Sequence, residues 1–275
     1  MKYALLLLLC FNAWAGELRF TVPGMTQVKG SHQALWPEGA SNGLLLVSIN
    51  GTGAEPHGLV PFGETVIKSG YHKLGLDYPN GVIPTVCKYS TNPQCYDNYQ
   101  RELVLGEQVS FEVKINPADA VLPRLLVALK FLVQKDPLRW ARFWKNDQPA
   151  WDKIVLYGHS QGAGHAAYLA KLVPVRGVFL TGGPFGYMPE FGFAAWASSL
   201  GATDPGRYRA LLHKTDYFGS DEHLAMMKLI VGDARATEQV IMSQRPERDG
   251  HNAIIIDPHY AGVWESFLAS FSSIR

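Results

Sequence analysis

Apolar residues along the 275-residue chain fall into two kinds of block that alternate. Short unbroken runs stopped by glycine or proline read as strands buried on both faces. Longer stretches with apolar residues three and four apart read as helices packed on one side. Residues 44–50 form a run of the first kind, ended by Gly51-Thr52-Gly53, and residues 71–78 form another, ended by Pro79-Asn80-Gly81. Residues 154–157, 175–181, 208–214 and 238–242 continue the series. Residues 122–133 set Leu125, Leu126, Leu129 and Leu132 on one side of a helix, and residues 260–271 close the chain as an amphipathic helix. Strands separated by helices predict an α/β fold, with a mostly parallel central sheet and helices on both faces. Residues 18–22 are expected as an antiparallel edge piece. No repeat or low-complexity linker divides the chain, so a single domain is the simplest organisation.

The first residues break this pattern. Lys2, an apolar stretch over 4–10, and Ala13-Trp14-Ala15 before Gly16 have the layout of a cleavable secretory signal peptide over residues 1–15. The mature domain would then be residues 16–275, and the protein would be secreted or periplasmic. The apolar stretch is too short to span a bilayer, and no later segment approaches that length. Leu9 before Cys10 is too bulky for a lipoprotein site. Removing the leader leaves Cys87 and Cys95 as an even pair in an oxidising compartment, which predicts a disulfide. With no histidine nearby, two cysteines cannot complete a zinc shell, so no metal is expected. The formal net charge is +1, without a basic face or arginine run, and nothing argues for nucleic acid. Asn50-Gly51-Thr52 fits a glycosylation sequon but is expected at a buried strand end, where it would be incidental. Oligomeric state leaves no sequence signal.

The most specific chemistry lies at Gly158-His159-Ser160-Gln161-Gly162-Ala163-Gly164-His165. A Gly-x-Ser-x-Gly pentad alone is a weak signal. Here a buried strand enters it, and a helix rich in small residues (Ala166, Ala167, Ala170) leaves it. That context is a nucleophile elbow, where a sharp turn lifts the Ser160 hydroxyl above the sheet at a helix N-terminus. The competing reading is an ordinary strand–turn–helix crossover with an incidental serine.

These octad residues, the loop after Leu76-Asp77-Tyr78-Pro79-Asn80 with its two cysteines, and the late His251-Asn252 carry a resemblance. The chain resembles the α/β-hydrolase superfamily over most of its mature length, and more narrowly a secreted lipase- or esterase-like branch of it. The resemblance implies the chain order serine, acid, histidine. The acid belongs just after the strand at 208–214, which selects Asp216. Its rival Asp221 sits in Ser220-Asp221-Glu222, which reads as a cap and acidic first turn of the helix carrying Leu224, Met227 and Ile230. Asp204 and Asp233 read as turn residues. His251, in a polar loop after the last strand, is the expected base. His259 is expected to cap the closing helix, His223 to lie in a helix, and His213 in a strand. His159 and His165 are expected to point elsewhere, as packing or rim groups.

Two backbone donors are needed for an oxyanion hole. The elbow itself offers the N–H of Gln161. The glycine-flanked loop after residues 44–50 offers Thr52, with Gly53 as the alternative; a plain glycine turn is the competing reading. Between Gly182 and Asp204 lies an aromatic insert with Phe185, Tyr187, Phe191, Phe193 and Trp196, of which Phe185, Tyr187 and Trp196 are candidates for a substrate pocket or lid. A satellite hydrophobic cluster would explain them equally well. Together these residues point to a serine hydrolase acting without cofactor on small-molecule or lipid esters. An acyltransferase or a peptidase would use the same residues, and a binding protein that keeps the fold without turnover is the alternative from another class.

Overall fold

A computed structural model describes residues 15–27, 30–56 and 60–274. Apart from Ala15, the expected leader lies outside these. Among the described residues, eight strands form one large sheet: β1 (Ala15–Phe20), β2 (His32–Pro37), β3 (Leu45–Ile49), β4 (His72–Leu76), β5 (Ile154–His159), β6 (Gly177–Thr181), β7 (Tyr208–His213) and β8 (Val240–Ser243). Their spatial order is β1-β2-β4-β3-β5-β6-β7-β8. β2 runs antiparallel to both neighbours, and every pairing from β4 to β8 is parallel. The sheet is thus mostly parallel with one antiparallel edge, as the run pattern predicts.

The longer helices are α1 (Val60–Lys68), α2 (Cys95–Gln100), α3 (Val121–Lys135), α4 (Gln161–Leu172), α5 (Ser220–Val231), α6 (Asp233–Gln239), α7 (Gly250–Ile256) and α8 (Ala261–Ser272). Strand β5 shows how they divide. Ile154 and Leu156 pack into the cluster shared with α3, α4 and α5, while Val155 and Tyr157 pack with α1, α7 and α8. Successive strand residues point to opposite faces, so one apolar run feeds two cores. Helices therefore cover both faces.

Several local expectations change. Residues 238 and 239 finish α6 rather than opening β8, because Asp233–Gln239 forms a short helix of its own, with Asp233 in its first turn. Helix α5 starts after Gly219, and Ser220 Oγ donates to the Lys214 carbonyl instead of capping. Before α8 it is the Asp257 carboxylate that accepts the His259 N–H, so His259 itself caps nothing. Asp204 does hold a turn, accepting from Gly206 N. Cys87 and Cys95 form the expected disulfide, with Cα atoms 5.4 Å apart, and it ties the start of α2 to the preceding loop.

A buried ion cluster locks the end of β4. Fully buried Arg124 of α3 donates to the Asp77 carbonyl at 2.5 Å, the Gln27 carbonyl at 2.7 Å and the Asp119 carboxylate at 2.8 Å. Asp119 also accepts from Thr26 N and Thr26 Oγ1. Burial raises the Asp119 carboxyl, but those hydrogen bonds and the guanidinium outweigh it and hold it below the usual carboxylate range.

Candidate active site

At the carboxyl end of β5 the chain reverses sharply. Ser160 holds φ 56° and ψ −123°, a left-sided conformation that non-glycine residues rarely adopt. Its N–H donates to the Thr181 carbonyl of β6 at 2.9 Å, which pins the turn to the neighbouring strand. The flanking glycines are required by space. A Cβ on Gly162 would run into the carbonyls of Ile49 and Asn50, and one on Gly158 would meet the backbone of Gly162 and Ala163. Ser160 therefore stands at the N-terminus of α4, whose first backbone N–H groups have no partner within the helix.

Asp216 follows β7 directly. Its Oδ1 accepts the Phe218 N–H at 3.0 Å, and its Oδ2 lies 2.8 Å from His251 Nδ1. Burial pushes the Asp216 carboxyl up, but the hydrogen bonds from His251 and the Phe218 N–H and the electrostatic influence of the two neighbouring histidines outweigh it and hold it below the usual carboxylate range. His251 sits in the first turn of α7, buried, rather than in an open loop. Asp249 caps that helix through the Asn252 N–H, which fixes where His251 emerges.

His159 does not point away. Its ring centroid lies 4.9 Å from that of His251, and its Nδ1 is 3.1 Å from Thr181 Oγ1. Burial, aided by the neighbouring His251, pushes its pKa down to about 3. A Cβ on Gly182 would come within 2.9 Å of the His251 ring and 3.2 Å of the His159 ring, so the residue after β6 must be small. On the other side of Asp216 lies His223 of α5, its Nδ1 3.7 Å from Asp216 Oδ2. Burial lowers His223 to about 4 against the pull of Asp216. No motif assigns either residue a role, but strand parity puts His159 on the α7 face with Tyr157, and helical spacing aligns His223 with Met227 and Ile230.

The loop after β3 packs onto the elbow. A Cβ on Gly51 would sit 3.0 Å from Ser160 Cβ, so glycine lets the loop come this close without displacing the serine. Asn80 holds the loop from behind: its Nδ2 donates to the carbonyls of Gly51 and Ala54, and its carbonyl accepts the Gly53 N–H at 3.0 Å. Among the described residues the Thr52 N–H has no acceptor. The Thr52 hydroxyl donates to Gln161 Oε1 at 2.8 Å, which joins the two donor-bearing residues. Asn50 is 1 % exposed, at the end of β3.

The aromatic insert divides. Phe185 packs edge-on against Phe218 at 5.6 Å and His223 at 4.7 Å, and Phe218 in turn contacts His251 at 4.8 Å. Phe185, Tyr187, Phe218 and His223, with Thr85 and Tyr96 from either side of the disulfide-closed loop, line a cavity of about 20 Å³. Trp196 instead packs against Tyr168 of α4, and Phe191 is partly exposed. Tyr217 stands exposed at the rim, 5.6 Å from His251. Among the described residues, the group of possible metal ligands is Cys87, Cys95 and Glu112, and both of its sulfurs are engaged in the disulfide. No helix among the described residues is long and apolar enough to cross a membrane.

No protein-family model matches the sequence, and no curated protein matches it. Solved structures do. Esterase B from Lactobacillus rhamnosis, inhibited by a tributyrin phosphonate, is similar with a TM-score of 0.55 and 12% identity, over 95% of this chain and 86% of that one. An esterase from Pyrococcus furiosus has a TM-score of 0.52 at 12% identity, over 94% and 91%. A hormone-sensitive lipase from a metagenome library has a TM-score of 0.50 at 11% identity, over 95% and 86%. With the sheet order above, these likenesses show that the chain has the α/β-hydrolase fold.

Proposed function

We propose that the protein is a serine hydrolase that cleaves carboxylic esters through an acyl-enzyme on Ser160. The observation that carries this reading is the buried 2.8 Å contact of His251 with Asp216, together with a serine held in a strained turn. A serine hydroxyl is a poor nucleophile until a base removes its proton. In the proposed reaction Ser160 Oγ attacks the ester carbonyl while His251 Nε2 takes the hydroxyl proton. Asp216 keeps Nδ1–H oriented and stabilises the imidazolium. The carbonyl oxygen becomes an oxyanion facing the N–H groups of Thr52 and Gln161. Collapse breaks the ester C–O bond, and His251 gives its proton to the departing alcohol. Water, deprotonated by His251, then attacks the acyl-enzyme and frees the acid and Ser160.

The Thr52 N–H, without an acceptor among the described residues, and the contact of the Thr52 hydroxyl with Gln161 support the oxyanion assignment. The esterase and lipase names of similar structures support an ester substrate, small-molecule or lipid. The leader-like layout of residues 1–15 in the sequence and the disulfide support export to a secreted or periplasmic location.

Labelling with a fluorophosphonate probe tests the reading, with Ser160→Ala and His251→Ala beside the parent. The parent alone is expected to label. A folded parent that neither labels nor hydrolyses any of a panel of p-nitrophenyl esters would overturn it.

A further inference from the structure

The Thr52 side chain is the first link of a buried chain of hydrogen bonds. Its hydroxyl donates to Gln161 Oε1 at 2.8 Å. Gln161 Nε2 reaches His165 Nε2 at 3.2 Å, one helical turn further along α4. His165 Nδ1 meets Gln100 Oε1, at the end of α2, at 2.6 Å. Gln100, Gln161 and His165 are all buried.

This chain has a direction. Burial drives the His165 pKa down to about 3, so the ring is neutral and offers one donor and one acceptor. Nδ1–H donates to Gln100, which leaves Nε2 to accept from the Gln161 amide. The Gln161 carbonyl is then the atom turned toward Thr52. Reversing any single link alone would set two donors or two acceptors face to face at a buried residue, which is costly. The ring is also fixed sterically, edge-on to Tyr78 at 5.6 Å and stacked on Tyr99 at 5.9 Å. Tyr78 in turn donates to the Asn50 carbonyl at 2.5 Å, at the root of the same loop.

We infer that His165 is a positioning residue for the oxyanion loop: through the Gln161 side chain it fixes the Thr52 hydroxyl and thereby aims the Thr52 N–H. This rests on the hydrolase reading above. Asn80 grips the loop at Gly51, Gly53 and Ala54, but Thr52 lies at its half-exposed tip, and Gln161 is the tether there. The same residue, Gln161, thus carries one proposed oxyanion donor on its backbone and orients the other with its side chain. A reacting group misplaced by about 1 Å loses on the order of 10²-fold in rate. The tether therefore affects turnover rather than substrate binding.

The test compares the parent with His165→Phe, Thr52→Val and the double variant. Three quantities are read: kcat and KM for p-nitrophenyl acetate, hydrogen exchange of the Gly53 and Ala54 amides, and the circular dichroism of the fold. Each single variant is expected to lower kcat about 10- to 100-fold with KM little changed. The double variant is expected to be no worse than the weaker single, because both break one chain. Exchange at Gly53 and Ala54 is expected to rise in both singles. Unchanged exchange in a folded His165→Phe, or losses that multiply in the double, would overturn the inference. Should His165→Phe fail to fold, unchanged kcat and exchange in Thr52→Val would overturn it equally. A parent that turns over no ester and takes no fluorophosphonate sinks the hydrolase reading alone, since the exchange arm still decides the tether.

Discussion

Asp216 and His251 lie 35 residues apart in the chain, yet share a buried 2.8 Å contact between Oδ2 and Nδ1. The contact fixes one ring nitrogen as donor and leaves Nε2 as the free base. Exchange of Asp216 for Asn is expected to lower kcat by about 10³- to 10⁴-fold, since the amide would favour the wrong tautomer. Asp221 pairs with Lys214 at 2.7 Å, and both side chains are largely exposed. Asp221→Asn is therefore expected to leave kcat within about twofold, because exposed pairs contribute little. Ester hydrolysis rates of the two variants decide the matter, and the reverse ranking would move the acid to Asp221.

Gly162→Ala is expected to prevent stable folding. A methyl there would press on the carbonyls of Ile49 and Asn50, which belong to the strand end beneath the elbow. Displacing strand backbone is among the few mechanisms that cost more than about 4 kcal/mol. Urea unfolding checks this, and a soluble variant with an unchanged midpoint would contradict the packing described.

Acid should destabilise the protein well above the range where carboxylates protonate. Burial lowers His32, His159 and His165 to about 3, against about 6.5 in an unfolded chain. Between those values the unfolded chain binds protons that the folded one refuses. Stability is then complete above pH ~6.5 and falls as pH drops toward ~3. Unfolding free energies at pH 7 and pH 5 measure the slope. A flat profile would mean that these rings take up protons in the folded state.

Cys87→Ser with Cys95→Ser is expected to lower stability by about 2–3 kcal/mol, the chain-entropy value for so short a loop. Denaturant melts of the two forms measure it. Non-reducing peptide mapping of the parent should recover the joined pair.

Much of this was legible in the sequence because buried parallel strands and glycine stops leave a direct imprint. The runs at 44–50, 71–78, 175–181 and 208–214 each became a sheet strand, trimmed by a residue or two at the ends, and the run at 154–157 became one that extends to His159. Helix α6 was not legible, because Asp-Ala-Arg-Ala-Thr-Glu-Gln carries no apolar stripe and owes its helicity to position between α5 and β8. His251 falls in a helix for a local reason, the Asp249 cap, which outweighs the polar run before it. The placement of His159 and His223 around Asp216 depends on how layers stack, and motif spacing is silent about that.

Asn50 has one more consequence, for the choice of expression host. Its side chain is enclosed at the strand end, with Nδ2 making no hydrogen bond among the described residues. A eukaryotic secretory pathway attaches sugar to Asn-x-Thr on the extended chain, before any sheet exists to hide it. A glycan on Asn50 could not enter the space between β3 and the elbow, so the modified chain would be barred from its native state. Production in such a host calls for a substitution at Asn50, or for a cell without the transferase.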